Sequence, residues 1–114
     1  MPETKLERQD GGPVCVRCQV ADRPLARMRG LLGRRDLPRG EGVLLRPAAS
    51  VHTWFMSFPI DVVFLDRELR VVKIVPRLGP WRVTAGRGAR AVLELAAGEC
   101  ERRGLRPGDR LVIA

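Results

Sequence analysis

Two runs, Ile60-Asp61-Val62-Val63-Phe64-Leu65 and Arg70-Val71-Val72-Lys73-Ile74-Val75, stand either side of Asp66-Arg67-Glu68-Leu69. β-Branched and aromatic side chains suit a pleated backbone, and a short polar connection between two such runs reads as a β-hairpin. The rest of the chain repeats this pattern in shorter pieces. Val14 to Val20 alternates, with Val14, Val16, Cys18 and Val20 on one face and Cys15, Arg17 and Gln19 on the other. Val43-Leu44-Leu45, Ser50 to Met56, Ala91 to Leu95 and Arg110 to Ile113 are further extended candidates. Pro107-Gly108 sets a tight turn before the last of them. One segment breaks the pattern. Leu25, Met28 and Leu32 repeat at helical spacing behind Asp22 and Pro24, and Gly33 supplies a stop, so a short helix is expected over 22–33. Gly98 to Arg103 can form one further helical turn.

Many short strands with one short N-terminal helix indicate a mainly β single domain, folded as a barrel or sandwich. The 114 residues allow one such domain, and 45% hydrophobic residues are enough to build a core without disulfides or a metal. Residues 1–12 end in Asp10-Gly11-Gly12 and are expected as a flexible arm, with residues 13–114 as the domain. The expected core includes Val16, Leu25, Met28, Leu44, Phe55, Val63, Leu65, Val72, Ile74, Leu93, Leu95 and Val112. Pro76 to Gly88, rich in Gly and Pro around Trp81, is expected as a long loop, the kind of segment that carries function. No apolar run approaches the length of a membrane span and no apolar leader opens the chain, so the cytoplasm is the expected location.

The formal net charge is +8, and 19 of the 21 cations are arginine. Charge is uneven along the chain. Residues 47–66 hold Asp61 and Asp66 and no cation, and this is also the most aromatic stretch. A basic protein attracts polyanions, so nucleic acid or an anionic surface is one expected partner class. There is no RNP motif, zinc-finger spacing or basic block with interleaved aromatics to make that partner specific.

Cys15-x-x-Cys18 lies inside an expected strand, where residues three apart face opposite ways, so the two sulfurs are expected to diverge. With Cys100 and His52 they complete a Cys₃His inventory for zinc, but the second close ligand pair is missing, so neither a metal nor a cofactor is expected. Ser50 to Asp61 holds the only histidine, Trp54 and two of the three phenylalanines. If it is extended, His52, Trp54 and Met56 share a face that can line a pocket. Asp61 precedes an apolar run, so its carboxylate needs an arginine or backbone N–H groups, and a structural ion pair, with Arg29 as one candidate, is the expected arrangement. Glu94 shares a face with Val92 and is expected to be half-buried.

Three functions fit these residues. The favoured one is a non-catalytic module binding a small molecule or peptide through Arg29, His52, Trp54, Met56, Asp61 and Trp81. The second is a small acid–base enzyme using His52 with Asp61 or Glu94. The third is a nucleic-acid or anionic-surface binder. Whether the chain is an enzyme stays open, with the balance toward a binding role.

Several blocks appear together in a recognisable order: Arg29-Gly30-Leu31-Leu32, Gly40-Glu41-Gly42-Val43-Leu44-Leu45, and Val51-His52-Thr53-Trp54-Phe55-Met56 with Phe58-Pro59-Ile60-Asp61-Val62-Val63-Phe64-Leu65-Asp66. Val92-Leu93-Glu94-Leu95-Ala96-Ala97-Gly98 and Gly104-Leu105-Arg106-Pro107-Gly108-Asp109 follow. Over residues 14–113 the chain resembles the DUF192 (UPF0127) family of small bacterial and archaeal proteins of uncharacterised function. The resemblance implies a compact, mainly β fold with a short helix near the start, and supplies no activity. Its motif residues fall here on Arg29, Gly30, His52, Met56, Pro59, Asp61, Glu94 and Gly98. Leu69 departs from it, since the hairpin usually carries Gly at that point.

Overall fold

The structure, a computed structural model, describes residues 2–21, 36–54 and 56–114. Seven strands form one curled sheet: β1 (Glu3–Arg8), β2 (Pro13–Ala21), β3 (Glu41–Leu45), β5 (Ile60–Leu65), β6 (Val71–Leu78), β8 (Ala91–Ala96) and β9 (Leu111–Ile113). Their order is β6-β5-β8-β3-β2-β1-β9. β2 and β3 run parallel and the other neighbours antiparallel. The two ends of the sheet meet: Arg70 bridges Arg110, and Val71 N–H donates to the Asp109 carbonyl at 2.7 Å. A curled sheet that joins its own edges leaves little unpaired backbone exposed. A two-stranded ribbon, β4 (Ser50–His52) with β7 (Val83–Ala85), accompanies the sheet. The only helix among the described residues is α1 (Glu99–Arg102).

The sheet has two apolar faces. All seven of its strands contribute to the inner core, which includes Leu6, Val14, Leu44, Val63, Val71, Leu93 and Leu111. The outer cluster holds Val43, Leu45, Ile60, Val62, Phe64 and Val92, covered by Val51 of the ribbon and by Met56. This is why β3, β5 and β8 read as continuous apolar runs: they are buried on both sides.

The mainly β class follows the expectation from periodicity, but several details differ. The expected arm is partly ordered, since residues 3–8 form β1, paired on both sides. Much of the expected Pro76–Gly88 loop is strand, because β6 runs on to Leu78 and β7 begins at Val83. The expected helix at 22–33 lies outside the described residues, as do Leu25, Met28, Arg29 and Phe55.

Val16, Val72 and Val112 are exposed rather than core. Val16 and Val72 sit at irregularities in strand pairing. Thr4 and Leu6 of β1 oppose Cys18 and Cys15 of β2, so β2 carries an extra residue, and Val16 and Arg17 N–H groups both donate to the Gly40 carbonyl. Phe64 and Leu65 oppose Lys73 and Val71, leaving Val72 unopposed. A bulge shifts the phase of alternation and turns the next side chain to the other face. At the last strand the phase is simply reversed, with Leu111 inward and Val112 outward. In the β5–β6 hairpin, Leu69 adopts φ 63, the left-handed region. The Asp66 carboxylate makes this turn workable by accepting the Glu68 and Arg70 N–H groups at 2.8 and 2.9 Å.

Candidate functional site

The β4 strand stops at His52 because the chain turns: Met56 N–H donates to the Thr53 carbonyl at 3.2 Å. The expected shared face of His52, Trp54 and Met56 is therefore divided. His52 and Trp54 point outward, their ring centroids 5.3 Å apart and tilted by 45°. Met56 drops into the outer core.

Buried Thr53 joins this segment to the chain between β6 and β7. Its hydroxyl donates to the Gly79 carbonyl at 2.6 Å and accepts the Arg82 N–H at 2.9 Å. Its N–H donates to the Arg82 carbonyl at 2.8 Å, and its carbonyl accepts the Trp81 N–H at 3.1 Å. Trp81 is held at φ 63 and is 62% exposed, while Trp54 is 46% exposed. Exposed Val83, paired with His52 across the ribbon, extends the same surface. The result is an aromatic surface, His52–Trp54–Trp81–Val83, built on two segments that one threonine ties together. Large exposed aromatics with fixed backbones suit recognition of planar or apolar groups.

Asp61 lies elsewhere. It opposes Leu95 on β8 and so faces the inner core. Its Oδ1 accepts the N–H groups of Arg77 and Gly98 at 2.9 and 3.1 Å, and its Oδ2 accepts that of Cys100 at 2.9 Å. Backbone N–H groups are thus its partners among the described residues. They tie β5 to the end of β6 and to the start of α1. The same carboxylate, after burial itself, pushes the Cys100 thiol well above its ordinary range.

Glu94 opposes Val43 on one side and Val62 on the other, so it projects from the outer face. Asp61 and Glu94 therefore stand on opposite sides of the sheet and do not form a carboxylate pair. Glu94 is 5% exposed and makes no hydrogen bond or ion pair with the described residues. Burial alone pushes its carboxyl up to about 7. The sequence suggests half-burial here; the topology, which pairs Glu94 with a strand on each side, goes with nearly complete burial.

The cysteines also differ from expectation. The β2 bulge turns Cys15 and Cys18 to the same side, where both are fully buried in the inner core with Cys100. The Cys18 thiol donates to the Gln19 carbonyl at 3.8 Å. The neighbouring Cys15 thiol and burial push Cys18 far above its ordinary value, while Cys15 beside it is held below its own. Exposed His52 is remote in environment from the three sulfurs, and no group of three metal-ligating side chains occurs among the described residues.

No helix among the described residues is long and apolar enough to cross a membrane. The arrangement resembles known proteins across nearly its full length. A UPF0127 protein of Pyrococcus furiosus is 34% identical over 107 residues, covering 89% of this chain and 90% of that protein. A UPF0127 protein of Pyrococcus horikoshii is 39% identical over 70 residues, a match spanning 57% of this chain and 58% of that protein. Among solved structures, a Sinorhizobium meliloti protein with the provisional designation of transcription regulator superposes with a TM-score of 0.85. It is 25% identical, and the match covers 97% of this chain and 92% of that one. A protein of unknown function from Novosphingobium aromaticivorans gives a TM-score of 0.80 at 25% identity, over 96% and 83% of the two chains. The DUF192 family model, described as "Uncharacterized ACR", matches residues 5–113, and the chain belongs to that family.

Proposed function

We propose that the protein is a non-catalytic binding module that holds a small molecule or short peptide on the His52–Trp54–Trp81 surface. One observation carries this reading: both tryptophans of the chain are exposed on neighbouring segments that Thr53 fixes together. An indole exposed on a braced backbone gives up little conformational freedom on binding, which favours affinity. A reduced environment such as the cytoplasm suits its three free thiols.

The test follows the two indole N–H resonances by NMR while a library of small fragments and short peptides is added. Binding here moves both indoles together and saturably, and Trp54→Ala or Trp81→Ala removes the response. A ligand that binds tightly and leaves both indoles unmoved overturns the reading.

A second reading, an acid–base enzyme, draws support from Glu94, whose carboxyl near 7 suits proton transfer at neutral pH. It draws less from Asp61, whose oxygens already accept three N–H groups. The nucleic-acid reading draws on the charge of +8 and on the designation of the Sinorhizobium meliloti neighbour.

A further inference from the structure

The β4–β7 ribbon has an unused edge. The Gly86 N–H donates to the Ala49 carbonyl at 2.9 Å, and the Thr53 N–H to the Arg82 carbonyl at 2.8 Å. Both bonds keep the register that pairs Val51 with Thr84. In an antiparallel ladder, hydrogen-bonded and non-hydrogen-bonded pairs alternate. The intervening pairs, His52 with Val83 and Ser50 with Ala85, therefore turn their N–H and C=O groups away from the ribbon. The Lys73 ammonium group agrees with this phase, since it reaches the Ala85 carbonyl from outside at 2.9 Å. The Val83 N–H and C=O and the Ala85 N–H have no partner among the described residues. The surface is open here: Val83 is 65% exposed, and Arg82, Ala85 and Arg87 are exposed with it.

Unpaired main-chain groups on an exposed strand are satisfied by water or by one further strand. Side chains and charge say which kind of strand fits. Val83 stands beside His52 on the outward face, near exposed Trp81, and offers an apolar surface to the side chains of an added strand. The charge is one-sided. Residues 47–60 carry no acid, and residues 69–93 carry Arg70, Lys73, Arg77, Arg82, Arg87 and Arg90 and again no acid. Among the described residues only Arg77 of these is in an ion pair, with Glu101 at 3.6 Å. Lys73 lies on the sheet side of the ribbon, its ammonium group 5.7 Å over the Phe64 ring.

Successive side chains of a strand point to opposite faces. A peptide that alternates apolar and acidic residues therefore meets both requirements at once, with apolar groups outward beside Val83 and carboxylates toward Lys73. We propose that the free edge of β7 takes an extended acidic peptide as a third strand of the ribbon. The peptide main chain pairs with Val83 and Ala85, and its carboxylates answer the cations Lys73, Arg82 and Arg87. This rests on the reading of the His52–Trp54–Trp81 surface as a binding site, and it names the occupant and the way it is held.

The probe is a hexapeptide alternating valine and aspartate, blocked at both ends. Two further versions carry N-methyl groups, one on the valine amides and one on the aspartate amides, so that each loses the donors of one strand edge. A version with lysine for aspartate reverses the charge, and a six-nucleotide oligothymidylate supplies a polyanion without a peptide main chain. Nitrogen-15 NMR follows the Val83 and Ala85 amides, their hydrogen exchange and the two indoles. The expected result is saturable binding of the aspartate peptide with slowed exchange at Val83. One N-methylated version binds at least ~10-fold more weakly and the other does not, and the lysine version fails to bind. Four results overturn the proposal. The first is no binding of the aspartate peptide. The second is equal binding of the lysine version. The third is equal slowing of Val83 exchange by the oligothymidylate. The fourth is a peptide that moves the indoles while Val83 exchange stays unchanged or both N-methylated versions bind alike. It then lies on the surface without joining the strand, and only the strand addition is lost. Indoles unmoved by every fragment and peptide overturn the surface reading itself.

Discussion

Asp61 and Glu94 are acidic residues on adjacent strands, and the backbone treats them in opposite ways. Asp61 sits where β6 and α1 both end their own hydrogen bonding, so three free N–H groups converge on it. Asp61→Asn replaces one accepting oxygen with a donor and should cost about 1–3 kcal/mol in urea unfolding. An unchanged midpoint would mean that these bonds contribute nothing net. Glu94 accepts no such N–H group among the described residues. Its folded carboxyl keeps a proton up to about 7, against 4.5 for an ordinary glutamate. Between those values the folded state binds more protons than the unfolded state, so stability falls as pH rises through this window and levels off above it. The whole effect is about 3 kcal/mol. Glu94→Gln keeps the shape and has no proton to lose. Compared at pH 5 and pH 8, the variant should lack most of the drop that the parent shows; parallel losses in both would place the titrating group elsewhere.

Elements are governed here by bulges and by one threonine. The extra residue in β2 turns Cys15 and Cys18 together into the core and expels Val16. All three thiols should therefore resist a water-soluble thiol reagent in the native protein and react fully on unfolding. Rapid native labelling of Cys15 or Cys18 would place the bulge elsewhere. Thr53 is the link between the segment after β4 and the chain before β7. Thr53→Val keeps the shape and deletes the hydroxyl. It should cost about 1–3 kcal/mol, speed amide exchange at Arg82 and raise acrylamide quenching of both tryptophans. If exchange at Arg82 does not change, the hydroxyl is not what binds the two segments.

At the scale of the whole molecule, the sheet joins its own edges and encloses a core to which every one of its seven strands contributes. The net charge of +8 lies outside this core and is mainly arginine. Counterion release makes attraction to a polyanion steeply salt-dependent. The protein should be retained on a DNA column at ~50 mM salt and released by ~200 mM, irrespective of DNA sequence. Retention that survives higher salt and prefers one sequence would favour the nucleic-acid reading over the binding-module reading.

Local chemistry was legible from the chain itself. The apolar runs of β3, β5 and β8, the β5–β6 hairpin and the mainly β class follow from side-chain type and short-range spacing, which act between near neighbours. The same holds for the family motif and for the need of Asp61 for a partner, though an ion pair with an arginine was the expected one and the described partners are backbone N–H groups. What the chain did not disclose depends on partners far away in sequence. A bulge is visible only against the opposing strand, so the phase of Cys15, Val16 and Cys18 had to wait for β1, and that of Val72 for β5. The pairing of β1 with β9, which draws the N-terminal residues into the sheet, joins opposite ends of the chain. Whether Asp61 and Glu94 could meet was likewise decided by strand order and register. Neighbours on one face are set by pairing between distant segments, and a pleated sheet places adjacent residues on opposite sides.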